Sequence, residues 1–134
     1  MKSKLFSYIS LFSGAGIGCF GFKQEGFRCI ATVELLEKRL KFQRYNEKCL
    51  FDAGYISGDL TQESVKQKVL NAVKTWGRLS GRDDLDVLLA TPPCQGMSVA
   101  NHKKGNEKSR NSLVIESIKL TNELKPKFLK MQNA

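Results

Sequence analysis

Thr91-Pro92-Pro93-Cys94-Gln95-Gly96 follows directly on the apolar run Val87-Leu88-Leu89-Ala90, so a buried strand would deliver Cys94 at its carboxyl end. Two prolines restrict the backbone before the thiol and Gly96 frees it afterwards, so the main chain rather than a rotamer would aim the sulfur. A thiol held in this way suits nucleophilic, covalent catalysis. The same residue could equally be a small hydrophobe closing a strand-ending turn.

A second feature lies near the amino terminus, where Phe12-Ser13-Gly14-Ala15-Gly16-Ile17-Gly18 links a strand-like run to a helix-period segment. Glycines in a strand-to-helix turn let a ligand approach the backbone and point helix amides at it. Glu34 ends the next strand-like run, 20 residues after Gly14, where a βαβ nucleotide site carries the acid that holds ribose hydroxyls. Asp59 follows a third run in Gly58-Asp59-Leu60-Thr61. Together these would converge on an adenosine-type ligand. Plainer readings stay open at this point: a structural turn, a surface Glu34, and an Asp59 that only starts a helix. A nicotinamide dinucleotide would fit the same plan less well, because G-x-G-x-G departs from G-x-G-x-x-G.

The elements that must position these residues alternate in period. Strands are predicted at Tyr8–Phe12, Arg28–Val33, Tyr55–Ser57, Asp86–Ala90 and Phe128–Met131. Helices are predicted at about Ile17–Glu25, Lys38–Asn46, from Thr61 onward, and Leu113–Leu124 before Pro126. In the third helix Val65, Val69, Val73 and Trp76 share one face, and Thr61 is placed to cap it. Strand and helix in alternation imply an α/β domain built on a parallel sheet. Such sheets are covered on both faces, so the last strand calls for a further neighbour and the domain reads as incomplete at its carboxyl end.

With 134 residues and 41% apolar content, the chain suits one globular domain. The net charge of +9, with cations concentrated at Lys38 to Arg44 and Lys103 to Lys130, favours a polyanionic partner, nucleic acid first. A lysine-rich solubilising surface gives the same balance. Four cysteines at 19, 29, 49 and 94, with no C-x-x-C pair and one histidine, write no metal site or redox motif, and a reducing cytoplasm is the simplest setting. Ser3, Ser7 and Ser10 interrupt the amino-terminal run that imitates a signal peptide, and no stretch is long enough for a membrane helix. His102 is eight residues of loop from Cys94 and is read as a surface residue without a catalytic role.

Taken in order, these motifs resemble the DNA cytosine methyltransferases that modify cytosine carbon 5, from Leu11 to Ala134. Phe12-Ser13-Gly14-Ala15-Gly16 is similar to that family's first cofactor motif, Glu34 to its ribose-binding acid and Gly58-Asp59 to its adenine-contacting turn. Thr91-Pro92-Pro93-Cys94-Gln95-Gly96-Met97-Ser98 resembles its catalytic loop. Ser109-Arg110-Asn111-Ser112-Leu113 resembles the segment opening the next helix beside the cofactor, and Lys125-Pro126-Lys127 the lead-in to the catalytic strand. The resemblance implies a Rossmann-like parallel sheet with flanking helices that binds S-adenosylmethionine. Its cofactor residues would be Phe12, Ser13, Gly14, Gly16, Glu34, Asp59, Pro93 and Leu113, with Cys94 as the nucleophile and no metal.

The implied substrate is double-stranded DNA, in a restriction-modification setting, with the target cytosine flipped from the duplex. Where the family carries Glu-Asn-Val, this chain reads Gln132-Asn133-Ala134. An amide can donate a hydrogen bond but cannot deliver a proton, and lost general-acid assistance costs about 10²- to 10⁴-fold. Ser10 and Met97 also depart from the usual acid and aromatic residues. The family's target-recognition region has no counterpart in residues 1–134, which read as the amino-terminal part of the catalytic domain. A complementary polypeptide is therefore the expected partner. The alternative is a non-catalytic remnant or accessory subunit that binds DNA or a partner chain.

Overall fold

The computed structural model describes residues 5–93 and 104–132, with the backbone alone for 104–110. Strands β1 (Ser7–Leu11), β2 (Arg28–Glu34), β3 (Tyr55–Ser57), β4 (Val87–Ala90) and β5 (Phe128–Met131) form a parallel sheet in the order β3-β2-β1-β4-β5. Helices α1 (Phe20–Gln24), α2 (Glu37–Tyr45), α3 (Glu63–Ser80) and α4 (Lys104–Leu124) connect them. Leu11 pairs with Val33 and with Ala90, and Ala90 with Met131, so the carboxyl ends of these strands lie level. Chain order reverses between β1 and β4. In open α/β sheets that switch point leaves a crevice above the carboxyl ends, where ligands bind.

Period-2 alternation divides the core between the two faces. Ile9, Leu11, Ile30, Leu88 and Ala90 pack with Val65, Val69 and Trp76 of α3 and with Leu120 of α4. Tyr8, Cys29, Val87 and Leu89 pack on the other face with Cys19, Phe22 and Phe27. Each fully buried aliphatic side chain here contributes about 1.5–3 kcal/mol. The α3 stripe follows the sequence expectation, with Val73 half-buried and Ala72 completing the buried row. Gly81 ends the helix at φ 69°, its N–H donating to the Gly77 carbonyl in a left-handed cap.

Several boundaries differ from expectation. Thr61 does not cap α3: the residue before the helix is Gln62, and the Thr61 N–H and hydroxyl both donate to Asp59 Oδ1, at 2.9 and 2.8 Å. Helix α4 starts at Lys104 rather than at Leu113. Its first turns, Lys104 to Ser112, are polar and so offered no apolar periodicity to read, although Lys, Glu and Arg favour helix. The helix expected from Ile17 opens as a 3₁₀ turn, Ile17–Cys19, before α1. Strand β5 is an edge, with Phe128, Leu129 and Met131 all exposed. Among the described residues no helix is long and apolar enough to cross a membrane.

At the amino ends of the strands Asp86 is buried and accepts from the Ser7 N–H at 2.9 Å, Arg82 Nη2 at 3.1 Å and Lys127 Nζ at 3.1 Å. Burial opposes ionisation, but the Ser7 N–H and the Lys127 and Arg82 cations outweigh it and hold this carboxyl below its usual range. A group with a lowered folded pKa adds stability above its unfolded value, about 4, and loses it as pH falls through the folded value. Asp86→Asn is therefore expected to lower stability at pH 7 by about 1–3 kcal/mol. It should also flatten the loss of urea midpoint below about pH 4, and an unchanged acid limb would contradict this role.

Candidate functional site

The turn after β1 is built on unusual backbone. Phe12 at φ 57°, Gly14 at 58° and Gly16 at 86° all occupy the left-handed region. Glycine does so freely, but an aromatic residue does not, and such outliers cluster at ligand clamps. The Ser13 N–H donates to the Val33 carbonyl at 3.2 Å and the Gly16 N–H to the Ser13 carbonyl at 2.9 Å, closing the turn over the end of β2. Glu34, the last residue of β2, is 5% exposed. Its Oε2 accepts the Gly14 N–H at 2.7 Å and its Oε1 the Leu36 N–H at 3.1 Å, with Arg39 at 3.6 Å. The surface reading of Glu34 is therefore excluded. A carboxylate offers about four lone-pair positions, so two backbone donors leave acceptor capacity for a ligand.

Beneath the turn lies a polar network that sequence reasoning missed. Gln43 of α2 is 1% exposed, and its amide nitrogen donates to Ser13 Oγ at 2.8 Å and to the Gly14 carbonyl at 2.6 Å. The Thr32 hydroxyl is shared between Ser13 Oγ at 2.6 Å and Gln43 Oε1 at 2.8 Å, and Lys48 Nζ approaches it at 3.4 Å. A Cβ at Gly16 would come within 3.1 Å of Gln43 Cγ and 3.4 Å of Lys48 Cδ. The one available signal was the position of Gln43, three residues beyond Leu40 on the inward side of a short helix.

Asp59 comes into the same neighbourhood, since the Gly58 N–H donates to the Glu34 carbonyl at 3.1 Å. Its Oδ1 is committed to Thr61 in a turn ahead of α3, which begins at Glu63 after Gln62, so Asp59 does not itself start the helix. Gly58, at φ 146°, passes so close to α3 that a Cβ would lie 2.7 Å from Val65 Cγ2. After β4 the Thr91 hydroxyl donates to the Phe12 carbonyl at 3.0 Å, tying the start of the proline loop to the glycine turn. Pro92 is buried and Pro93 exposed. The Gln132 N–H donates to the Ala90 carbonyl at 3.0 Å, which carries the β4–β5 pairing one step past Met131 towards Thr91. Leu113 sits half-buried on α4, apart from the hydrogen bonds that build the turn. Cys94, His102 and Asn133 lie outside the described residues.

A cavity of about 360 Å³ under the turn is lined by Ala15, Gly16, Ile17, Phe20, Gln43 and Lys48, among others. One of about 550 Å³ lies elsewhere, against Arg28, Cys29, Arg44 and Cys49, away from the switch point. The larger volume does not mark the chemistry, because neither the glycine turn nor the proline loop borders it. Among the described residues no cluster of three or more His, Cys, Asp or Glu could hold a metal ion.

Sheet order, switch point, glycine turn and buried acid define the chain as a Rossmann-like α/β domain. A short-chain dehydrogenase from Streptomyces avermitilis shares this fold, with a TM-score of 0.62 at 15% identity, covering 92% of this chain and 44% of that one. At that identity the likeness concerns the fold alone. Residues 6–134 match the C-5 cytosine-specific DNA methylases, and the chain belongs to that family.

It is similar to the type II methyltransferase M1.HgaI of Avibacterium volantium, 33% identical over 130 residues, covering 93% of this chain and 33% of that protein. It is similar also to M.AquIA of Picosynechococcus sp., 34% identical over 133 residues, covering 99% of this chain and 49% of that protein. A candidate DNA modification methyltransferase from an E. coli prophage superimposes with a TM-score of 0.66 at 26% identity, covering 96% of this chain and 32% of that one. The chain thus spans about a quarter to a half of the length of the relatives it matches.

Proposed function

We propose that residues 1–134 form the amino-terminal part of the catalytic domain of a cytosine-5 DNA methyltransferase of restriction-modification type, acting on double-stranded DNA in the cytoplasm. The observation that carries this reading is the Gly14–Glu34 hydrogen bond at the switch point, with the Thr91 loop tied to the same turn. The site suits S-adenosylmethionine: open space extends beyond Gly14, with nothing within 4 Å of where a Cβ would lie, and Glu34 keeps acceptor capacity for ribose hydroxyls. Glu34 and Asp59 would hold the adenosine, and Phe12, Ser13, Gly14, Gly16, Pro93 and Leu113 would line the rest of the site. When bound, S-adenosylmethionine supplies the methyl group.

Cytosine carbon 5 is too weak a nucleophile to attack a sulfonium methyl unaided. Cys94 as thiolate would add to carbon 6 of the flipped base, making the ring enamine-like. Gln132 would donate a hydrogen bond at ring nitrogen 3, with Asn133 beside it. The exposed edge strand β5 and the greater length of the relatives support a complementary polypeptide that carries target recognition.

Calorimetric titration with S-adenosylmethionine tests the cofactor assignment. Glu34→Ala should weaken binding by at least about tenfold, because it removes the ribose acceptor and orphans the Gly14 N–H. Undiminished affinity in a folded variant would refute the role of Glu34.

A further inference from the structure

We propose that Gln43 is the positioning residue of the cofactor turn: its buried amide orients the Gly14–Ala15 peptide so that the Ala15 N–H faces the ligand side. This rests on the cofactor reading above and adds to it a residue outside the glycine turn. Both Gln43 amide hydrogens are used, on Ser13 Oγ and on the Gly14 carbonyl, while its oxygen faces the Thr32 hydroxyl. In a trans peptide the carbonyl and the following N–H point in opposite directions. With the Gly14 carbonyl drawn down to Gln43, the Ala15 N–H is turned up and away from the network, and among the described residues none accepts it. The two ends of Gly14 are then fixed from opposite sides, its N–H by Glu34 and its carbonyl by Gln43.

The packing points the same way. Gly16 closes over the Gln43 stem with room for no Cβ at ordinary distance, so the turn takes its shape from α2 as well as from its own glycines. Gln43 is nearly inaccessible, and a buried polar group is costly unless its partners are retained. An apolar residue of the same length would fill the space and leave the Gly14 carbonyl and the Ser13 and Thr32 hydroxyls to rearrange.

The test compares the full chain with Gln43→Met and Gln43→Glu by calorimetry with S-adenosylhomocysteine, together with hydrogen exchange at the Gly14 amide and thermal unfolding. Gln43→Met should weaken binding roughly tenfold or more and speed Gly14 exchange while the chain still unfolds cooperatively. Gln43→Glu supplies a rescue that a merely space-filling role would not produce. As a neutral acid it keeps one O–H donor and an acceptor, and as a carboxylate it keeps no donor.

Its affinity should approach the wild-type value near pH 5 and fall as pH rises to about 8, where the wild type stays level. Lys23 and Lys48, which line the same cavity, and Glu34 across the Gly14 peptide are the charged groups that set where this fall occurs. Wild-type affinity in Gln43→Met, or a level pH profile in Gln43→Glu, would overturn the assignment. If the wild type itself binds no S-adenosylhomocysteine, the cofactor reading fails. The Gly14 exchange rate then decides on Gln43 alone, with faster exchange in Gln43→Met supporting its role and equal exchange refuting it.

Discussion

Cys94→Ala is expected to abolish the covalent adduct with a duplex carrying 5-fluorocytosine, when the chain is combined with a polypeptide supplying the part of the relatives it does not span. With S-adenosylmethionine present, fluorine at carbon 5 cannot leave in place of the proton once the methyl group has been transferred, so the trapped adduct reports thiol addition followed by methyl transfer. No neighbouring group in the sequence replaces the thiol, since Gln95, Gly96 and Met97 carry no comparable nucleophile. Binding of S-adenosylmethionine should be unaffected, because the glycine turn is held by Glu34 and Gln43 from β2 and α2. The separation is physical. Thr91 anchors the loop to the Phe12 carbonyl and Pro92 is buried, so the loop's root stays fixed when a side chain two residues beyond Pro92 is shortened. An adduct that survives the substitution would refute the nucleophile assignment.

Gln132→Glu should raise the methyl-transfer rate of the same combined protein by about 10²- to 10⁴-fold, or about 3–5 kcal/mol in activation free energy. The residue follows β5, and its N–H on the Ala90 carbonyl sets it beside the strand that leads into the Thr91-Pro92-Pro93 loop. On the proposed mechanism a carboxylic acid there would transfer a proton to ring nitrogen 3 as charge develops on the base, whereas the amide would only donate a hydrogen bond. Single-turnover measurement on a duplex isolates this step from product release. An unchanged rate would remove Gln132 from the acid's role. Transfer absent from both forms, with cofactor bound, would favour an accessory subunit that binds DNA or a partner chain.

Much of the architecture is legible in the sequence. Tyr55–Ser57 and Phe128–Met131 are strands where β-rich runs bounded by turn residues placed them, and the Val65, Val69, Trp76 stripe packs as its period requires. These signals are local, because a side chain's face is set by its own backbone period. The boundary at α4 was illegible for the complementary reason: polar helix turns carry no apolar rhythm. The Thr61 cap failed because Gln62 rather than Thr61 precedes the helix, Thr61 being held in a turn by its N–H and hydroxyl on Asp59 Oδ1. Family resemblance drew out Pro93, Leu113, Gln132 and Asn133, and it decided between the two readings of Cys94, which the strand and prolines before it had already singled out but which no local rule separates from a small hydrophobe.

The sequence by itself determined the α/β alternation, the glycine turn and the spacing that put Glu34 at the end of the second strand. Only the tertiary structure decided the sheet order, and with it the switch point between β1 and β4 that brings Gly14, Glu34 and Thr91 together. It also decided that Gln43 lies under the turn and that Asp59 spends one oxygen on Thr61. The physical reason is range. Periodicity and turn chemistry act over a few residues, whereas the Gly14 carbonyl meets the Gln43 amide across 29 positions and Thr91 meets Phe12 across 79, contacts that exist only once the strands have paired.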